Sequence, residues 1–303
     1  MIVRNAFNAL LRPLLRPDMR DEYDNFEQEW NKFLKEGSFP FGLNEIELTT
    51  LSGLPRQVPL GETEPYTFVD PKMAPVITKR DRQFGLAFSI SKEMMEDNKY
   101  PRAVKTARWL SRSVRLAQEH EAADLLDDAF TGAKYTGYND EPLISATHSL
   151  LNSPSTWSNQ ITGNPPLSML SYQALLEMGE AMVDQQGDPI PVRYSTLVIS
   201  PNQEFMALQI TQNPDEPFTA NRNINAARKK RQLGYVVSHY KDQSNHAWFA
   251  FDPRMNDAHF LWKVRPQYPD WFEERIRAAC FASRQRFLIY FYDPRGWIGS
   301  NAA

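Results

Sequence analysis

The chain has 303 residues, 42% hydrophobic and 23% charged, with a formal net charge of -3. That length admits one large domain or two ordinary ones, and the near-neutral balance argues against a dedicated nucleic-acid binder, which would carry a basic face or stripe. The single cysteine, Cys280, sits among Ala278, Ala279 and Phe281 as a small packed hydrophobe and excludes an intrachain disulfide, and no apolar run approaches the ~18 residues of a membrane span.

The N-terminal stretch is cut by Arg4, Arg12, Pro13, Arg16 and Pro17, so it lacks the apolar centre of a signal peptide and reads as a basic amphipathic arm. Asp18 is expected to cap a helix running to about Glu36, with Gly37 as its stop. Met19, Tyr23, Phe26, Trp30 and Phe33 recur at spacings of 4, 3, 4 and 3, which makes one apolar seam. That seam suits a core helix or an arm docked on a neighbour. From 54 to 83, Pro55, Pro59, Pro65, Pro71 and Pro75 forbid a regular helix. Short strand-like pieces, Tyr66–Val69 and Val76–Thr78, lie between them. Phe84, Leu86, Phe88 and Ile90 then alternate with smaller or polar residues, predicting a strand with one buried face.

The segment from Arg102 to Phe130 has neither Gly nor Pro. As one helix it would be about 44 Å long, a spine for the rest. Val104, Ala107, Leu110, Val114 and Ala117 form its apolar stripe, and Gly132 is placed for a left-handed cap. Its charges run against the helix macrodipole, with Arg102, Lys105, Arg108, Arg112 and Arg115 first and Glu119, Glu121, Asp124, Asp127 and Asp128 after. A solvated face explains this, as does contact with oppositely charged surfaces of neighbouring subunits. Beyond the spine come a turn at 138–142, a polar loop at 152–166 and a helix from Ser168 to Gln186 with Leu170, Ala174, Met178, Ala181 and Met182 on its face. A buried strand is predicted at Ser195–Ser200, a helix from Pro201 to Thr211 bearing Phe205 and Leu208, and strands at 235–240, 246–252 and 258–265. Two more, Arg275–Cys280 and Arg286–Tyr292, close at Asp293-Pro294-Arg295-Gly296.

Phe88-Ser89-Ile90-Ser91, the acidic Glu96-Asp97 before Tyr100, the spine, and the turn Tyr138-Asn139-Asp140-Glu141-Pro142-Leu143 closing at His148 together resemble the major head subunit of Mu-like tailed phages. Where relatives often carry Asp-Gly in that turn, Asn139-Asp140 stands here, and either supports a tight turn. The resemblance implies an α+β chain with the Hong Kong-type tailed-phage capsid fold. Its parts would be an N-terminal arm (1–50), an extended β-hairpin loop (51–90), a peripheral domain with the spine helix (91–190), a mixed α/β axial domain (191–270) and return strands of the peripheral domain (271–303). It implies a structural protein of the virion, not an enzyme, that assembles in the bacterial host cytoplasm. Its partners would be itself in pentamers and hexamers, packaged double-stranded DNA held non-specifically, and scaffold, portal and cement proteins, with no membrane. Met1 lies only a short way before the arm helix, so a scaffolding segment within the chain is not expected. The inter-subunit contacts would fall on Trp30, on Val69, Met73, Val76 and Ile77 of the loop, and on Arg108, Arg112, Arg115, Glu119 and Asp124 of the spine. Deleting 62–80 is then expected to spare the monomer and block assembly. An encapsulin-like compartment shell is one alternative, and an enzyme with a dispersed hydrolase site is another.

Motifs for chemistry are missing. The sequence has no Gly-x-Ser-x-Gly elbow, no phosphate-binding Gly-x4-Gly-Lys and no Cys-x2-Cys pair. Its five histidines make no short metal-ligand spacing, so no cofactor or metal is expected. Lys72 and Lys79 lie in the loop where some shells of this fold form isopeptide cross-links, without a residue motif for that chemistry. The run Arg228-Lys229-Lys230-Arg231 suits a solvated segment or salt-sensitive phosphate contacts.

Overall fold

The computed structural model describes residues 4–40, 42–57, 59–62, 64–96, 100–151, 153–213 and 233–302. In chain order they form α1 (Arg4–Asn25), β1 (Lys35–Ser38), β2 (Glu45–Leu48), β3 (Ile77–Arg80), β4 (Arg82–Ser91), α2 (Lys92–Glu96) and α3 (Tyr100–Asp127). There follow β5 (His148–Ser149), β6 (Thr156–Trp157), α4 (Met169–Glu180), β7 (Thr196–Ile199), α5 (Glu204–Gln212), β8 (Gly234–Val237) and β9 (Trp248–Phe251). The last strands are β10 (Ala258–Gln267), β11 (Asp270–Glu273), β12 (Ala278–Phe291) and β13 (Trp297–Ser300). The run Arg228-Lys229-Lys230-Arg231 lies outside the described residues.

Two sheets carry the molecule. In the first, β12 is central, with β10 and β11 following each other along one edge and β4 along the other. The short β1 adds in parallel to the far side of β10. The second sheet has the order β13-β9-β7-β8, with β7 and β8 parallel. The spine α3 lies across the first sheet. Its Leu125 and Leu126, with Ala129 just past its end, reach a shared core where Phe260 and Phe287 of that sheet meet Phe249 and Trp297 of the second. A separate core under the second sheet holds α4 and α5 through Tyr172, Leu175, Leu176, Ala207 and Ile210. The spine ends on a cap that its sequence encodes. Gly132 takes a positive φ of 63°, and the Asp128 carboxylate accepts the N–H groups of Ala133, Lys134 and Tyr135. In the turn that follows, Asn139 and Asp140 both have positive φ, as the tight-turn reading requires.

Several expectations are corrected. The first helix starts at Arg4 and stops at Asn25, far short of Glu36. Met19, Trp30 and Phe33 of the seam are nonetheless core, because Trp30–Lys32 folds back as a 3-10 turn whose Trp30 N–H donates to Glu119, while Tyr23 and Phe26 are half-buried. Gly37 does not stop a helix. It lies in β1, where a Cβ would come within 2.6 Å of Leu261. No strand forms at 66–69. The stretch at 152–166 holds the buried Trp157, Asn159 and Ile161 as well as solvated loop. In α4 the buried face is Tyr172, Leu175, Leu176 and Gly179, and Leu170 is exposed. The two strands expected at 275–292 are the single strand β12, and β11 precedes it. Sheet membership also differs from a division by sequence blocks. β10 belongs with β12 and β4 in the first sheet, while the C-terminal β13 joins the second.

Candidate assembly surface

Most buried polar side chains in the described residues are tied to one another and to backbone; Trp30 Nε1, Trp157 Nε1, Tyr292 Oη and Arg295 Nη2 are buried without a hydrogen-bond partner. Glu141, His148 and Ser149 look like catalytic neighbours, but His148 is enclosed. Its Nδ1 lies 2.8 Å from Glu141 and its Nε2 lies 2.9 Å from Asn159 Oδ1. Burial works to raise the Glu141 carboxyl, but the bonds from His148 and Ser149 outweigh it and hold Glu141 below the usual range. Asn159 is the hub, donating to the carbonyls of Leu143, Pro294 and Trp297 while its Oδ1 accepts Ser145 N–H. No group of His, Cys, Asp and Glu among the described residues is arranged to hold a metal ion. No helix among them is long and apolar enough to cross a membrane.

The chemistry of this molecule is on its outside. β2 and β3 pair antiparallel and form the root of an arm. Above that root the two legs are pinned by Ser52 N–H to Lys72 O, Lys72 N–H to Ser52 Oγ, and a bridge between Leu51 and Met73. Gln186 donates from below to the carbonyls of Ser52 and Gly53. Beyond these pins the described residues of 53–73 are exposed and enter no core cluster. Phe68 is 94% and Tyr66 79% exposed, and Val69, Met73 and Val76 are also in water. Such a run of large apolar side chains marks an interaction surface, since each gains only when covered, at roughly 25 cal/mol per Å². Ile77 departs from this set, because it is buried beside Ala74, Tyr138 and Tyr292 and anchors the root. Between β3 and β4, the enclosed Asp81 carboxylate is held by Lys263 at 2.8 Å and Arg286 at 2.6 Å. Burial acts to raise its carboxyl, but those two cations win and keep it low.

The spine's charges are mostly spent within the chain. Arg108 pairs with Asp18 of α1, and Asp124 pairs with Lys134. Arg115 is buried, its guanidinium 3.5 Å over the Tyr23 ring and its Nε donating to Tyr23 O at 2.9 Å. Glu119 accepts the backbone N–H groups of Glu29 and Trp30 at 3.0 and 3.1 Å. Burial pushes its carboxyl up to about 7 against those two bonds, and the nearby Glu29 adds to the rise. Glu29 in turn accepts His239 N–H at 2.8 Å. Trp30, only 1% exposed, stacks on Phe260 at 4.1 Å. Trp30, Ile77, Arg115 and Glu119 are therefore buried within the protomer, whereas Arg108 and Asp124 are paired within the chain but stay half-exposed. Arg112 stays free in water. Sequence reasoning missed Asn159, which sits in a Ser/Asn-rich loop with no periodicity. It missed Asp81 too, whose one signal was its place between Arg80 and Arg82 at a strand junction.

A sequence model of the family described as phage capsid protein matches residues 82–299. The match begins at β4 and takes in the spine and most of both sheets. Among curated proteins, none matches the chain by sequence. The fold is similar to that of the capsid of the cyanophage P-SCSP1u, with TM-score 0.57 and 12% identity over 91% of this chain and 88% of that one. It is also similar to the virus-like particle from Pyrococcus furiosus, with TM-score 0.55 and 12% identity over 94% of this chain and 97% of that one. The procapsid of bacteriophage JBD30 gives TM-score 0.55 and 9% identity over 99% of this chain and 77% of that one. At such identities the likeness is one of fold.

Proposed function

The chain belongs to the phage capsid protein family, and from that premise we propose that it is the major head subunit of a Mu-like tailed phage, closing from pentamers and hexamers into an icosahedral head around double-stranded DNA. On this reading the first sheet with α3 is the peripheral part, and the second sheet with α4 and α5 the axial part. The single observation that carries it is the arm. It is a rooted, two-legged projection whose apolar side chains have no cover within the described chain. A protomer that displays Tyr66, Phe68, Val69, Met73 and Val76 has a reason to associate, and repeated identical contacts close by symmetry. Phe205, 82% exposed on α5, adds a second uncovered apolar site on the axial side. The shell is assembled in the bacterial cytoplasm, with scaffold, portal and cement proteins as further partners.

A compartment shell that encloses something other than phage DNA is the second reading. The observation in its favour is the fold shared with the virus-like particle along 97% of that chain. Purified particles separate the two. Nuclease-protected double-stranded DNA in particles from infected cells supports the head, and particles that hold protein and no DNA support the compartment.

A further inference from the structure

We propose that the cavity between the arm root and the end of the spine is a binding site for a small, multiply charged oxyanion of the phosphate class. The cavity has a volume of about 310 Å³, within the range of small-ligand sites. Three parts of the fold line it. β3 and the start of β4 supply Lys79, Arg80 and Arg82, the turn after the spine supplies Lys134, Tyr135 and Thr136, and β12 supplies residues 287–290. Glu121 of the spine is the one carboxylate in this lining. Every wall belongs to the same protomer, so the site stands apart from the shell reading.

Four cations in the lining face that single carboxylate, and Glu121 is shared among several donors. Arg82 Nη1 and Lys134 Nζ both lie 3.0 Å from its Oε2, and Tyr135 OH donates to the same oxygen at 2.8 Å. Arg80 is held from outside the cavity by Glu45, and Lys134 also pairs with Asp124. Lys79 differs from the other three. Its ammonium donates to Thr136 Oγ1 at 3.0 Å and forms no ion pair with a carboxylate among the described residues. Thr136 in turn donates to Asp140, so that acid reaches Lys79 through a hydroxyl. Burial disfavours the charged amine, outweighs Asp140 and holds Lys79 below the usual lysine range. A half-buried ammonium without a direct counter-ion is unfavourable, and an anion entering beside it relieves the strain on its charge. A singly charged carboxylate would match Lys79 alone. A phosphate group has oxygens on all sides and can accept from Lys79, Arg82 and Lys134 together. Bound there, it would tie the arm root to the end of the spine and fix the angle at which the arm leaves the body. Duplex DNA carries the same group, but on a rod far wider than this cavity.

The test titrates the full-length folded chain with pyrophosphate in a calorimeter at constant ionic strength, with chloride as the control. Saturable binding of about one anion per chain is expected, with Tm raised by a few degrees at saturation. Lys79→Gln keeps a donor to Thr136 but removes the charge, and should weaken binding at least roughly tenfold. Glu121→Gln removes the carboxylate of the lining and should tighten binding severalfold. A damaged fold cannot imitate that change of opposite sign. Arg265→Gln, outside the cavity, should bind as the unmodified chain does. Absence of saturable binding above the chloride control overturns the site, as does an unchanged affinity in Lys79→Gln. A short DNA duplex that binds through Lys79 where pyrophosphate does not would overturn the compact ligand and assign the cations to nucleic acid. None of these readings needs particles to form, so failure of the shell reading would leave the result standing.

Discussion

Glu119 shows how one side chain sets the behaviour of the turn that follows α1. Its carboxylate holds the N–H groups of Glu29 and Trp30, yet burial raises its titration to about 7. A raised folded value favours the protonated form. The stability gained is full below the unfolded value near 4.5 and is lost as pH rises through about 7. The span is worth about 3 kcal/mol. The carboxyls of Asp81, Glu121, Asp128 and Glu141 are depressed, so their contribution is present above the ordinary carboxylate range and is lost as pH falls through their folded values. The monomer is therefore expected to be most stable in mildly acidic solution. Glu119→Gln should flatten the decline between pH 5.5 and 8, read as Tm across that range. An unchanged decline would remove Glu119 as its source. Arg115 and Arg112 divide in the same way. Arg115→Glu leaves an acid against the Tyr23 carbonyl and should cost the monomer roughly 3–5 kcal/mol, whereas Arg112→Glu should change it by under about 0.5 kcal/mol. Asn159→Ala strips donors from three buried carbonyls and should cost roughly 2–4 kcal/mol by denaturant unfolding. A loss below 1 kcal/mol would mean that water replaces the amide.

Among the elements, those governed by local rules were readable. The spine follows from its 3.6-residue stripe, from the absence of Gly and Pro, and from the Gly132 stop. The arm follows from its prolines and from apolar side chains that a compact domain had no use for. Elements decided by distant partners were not readable. The seam from Met19 to Phe33 is periodic enough for one helix, but the carboxylate of Glu119, ninety residues away, turns the N–H groups of Glu29 and Trp30 out of that helix. The polar residues Ser283, Arg284 and Gln285 fall in the middle of the single strand β12. In the fold Gln285 is enclosed, donating to Val114 O and accepting from Gln118. The Asp81 clamp needs β10 and β12 side by side, which spacing cannot show. The root contacts also narrow the arm experiment. Removing 62–80 would take out β3 and the buried Ala74 and Ile77, and should unfold part of the monomer. Removing 54–71 joins Gly53 to Lys72 just above the Ser52–Lys72 pins. That shorter deletion should leave Tm within a few degrees and abolish particles in size-exclusion chromatography. Particles that form normally without 54–71 would take the arm out of assembly.

On the scale of the whole molecule, the protomer is two sheets joined by one shared core, with an arm standing off the first sheet and the spine running across it. Stability is internal to the protomer, and the features left over are the arm, the basic face of the spine and the exposed end of α5. Exposed pairs are screened over about 8–10 Å at ordinary ionic strength, so closure should weaken as salt rises while the monomer's melting barely moves. A shell multiplies each small contact many times, and terms too weak to matter in one subunit then decide whether it closes. The most direct test of the central claim is negative-stain electron microscopy of the full-length expressed chain over a range of concentration. The account predicts closed particles of uniform diameter with icosahedral outline above a threshold concentration. A folded chain that stays monomeric at every concentration, with or without the partners of an infected cell, would contradict it.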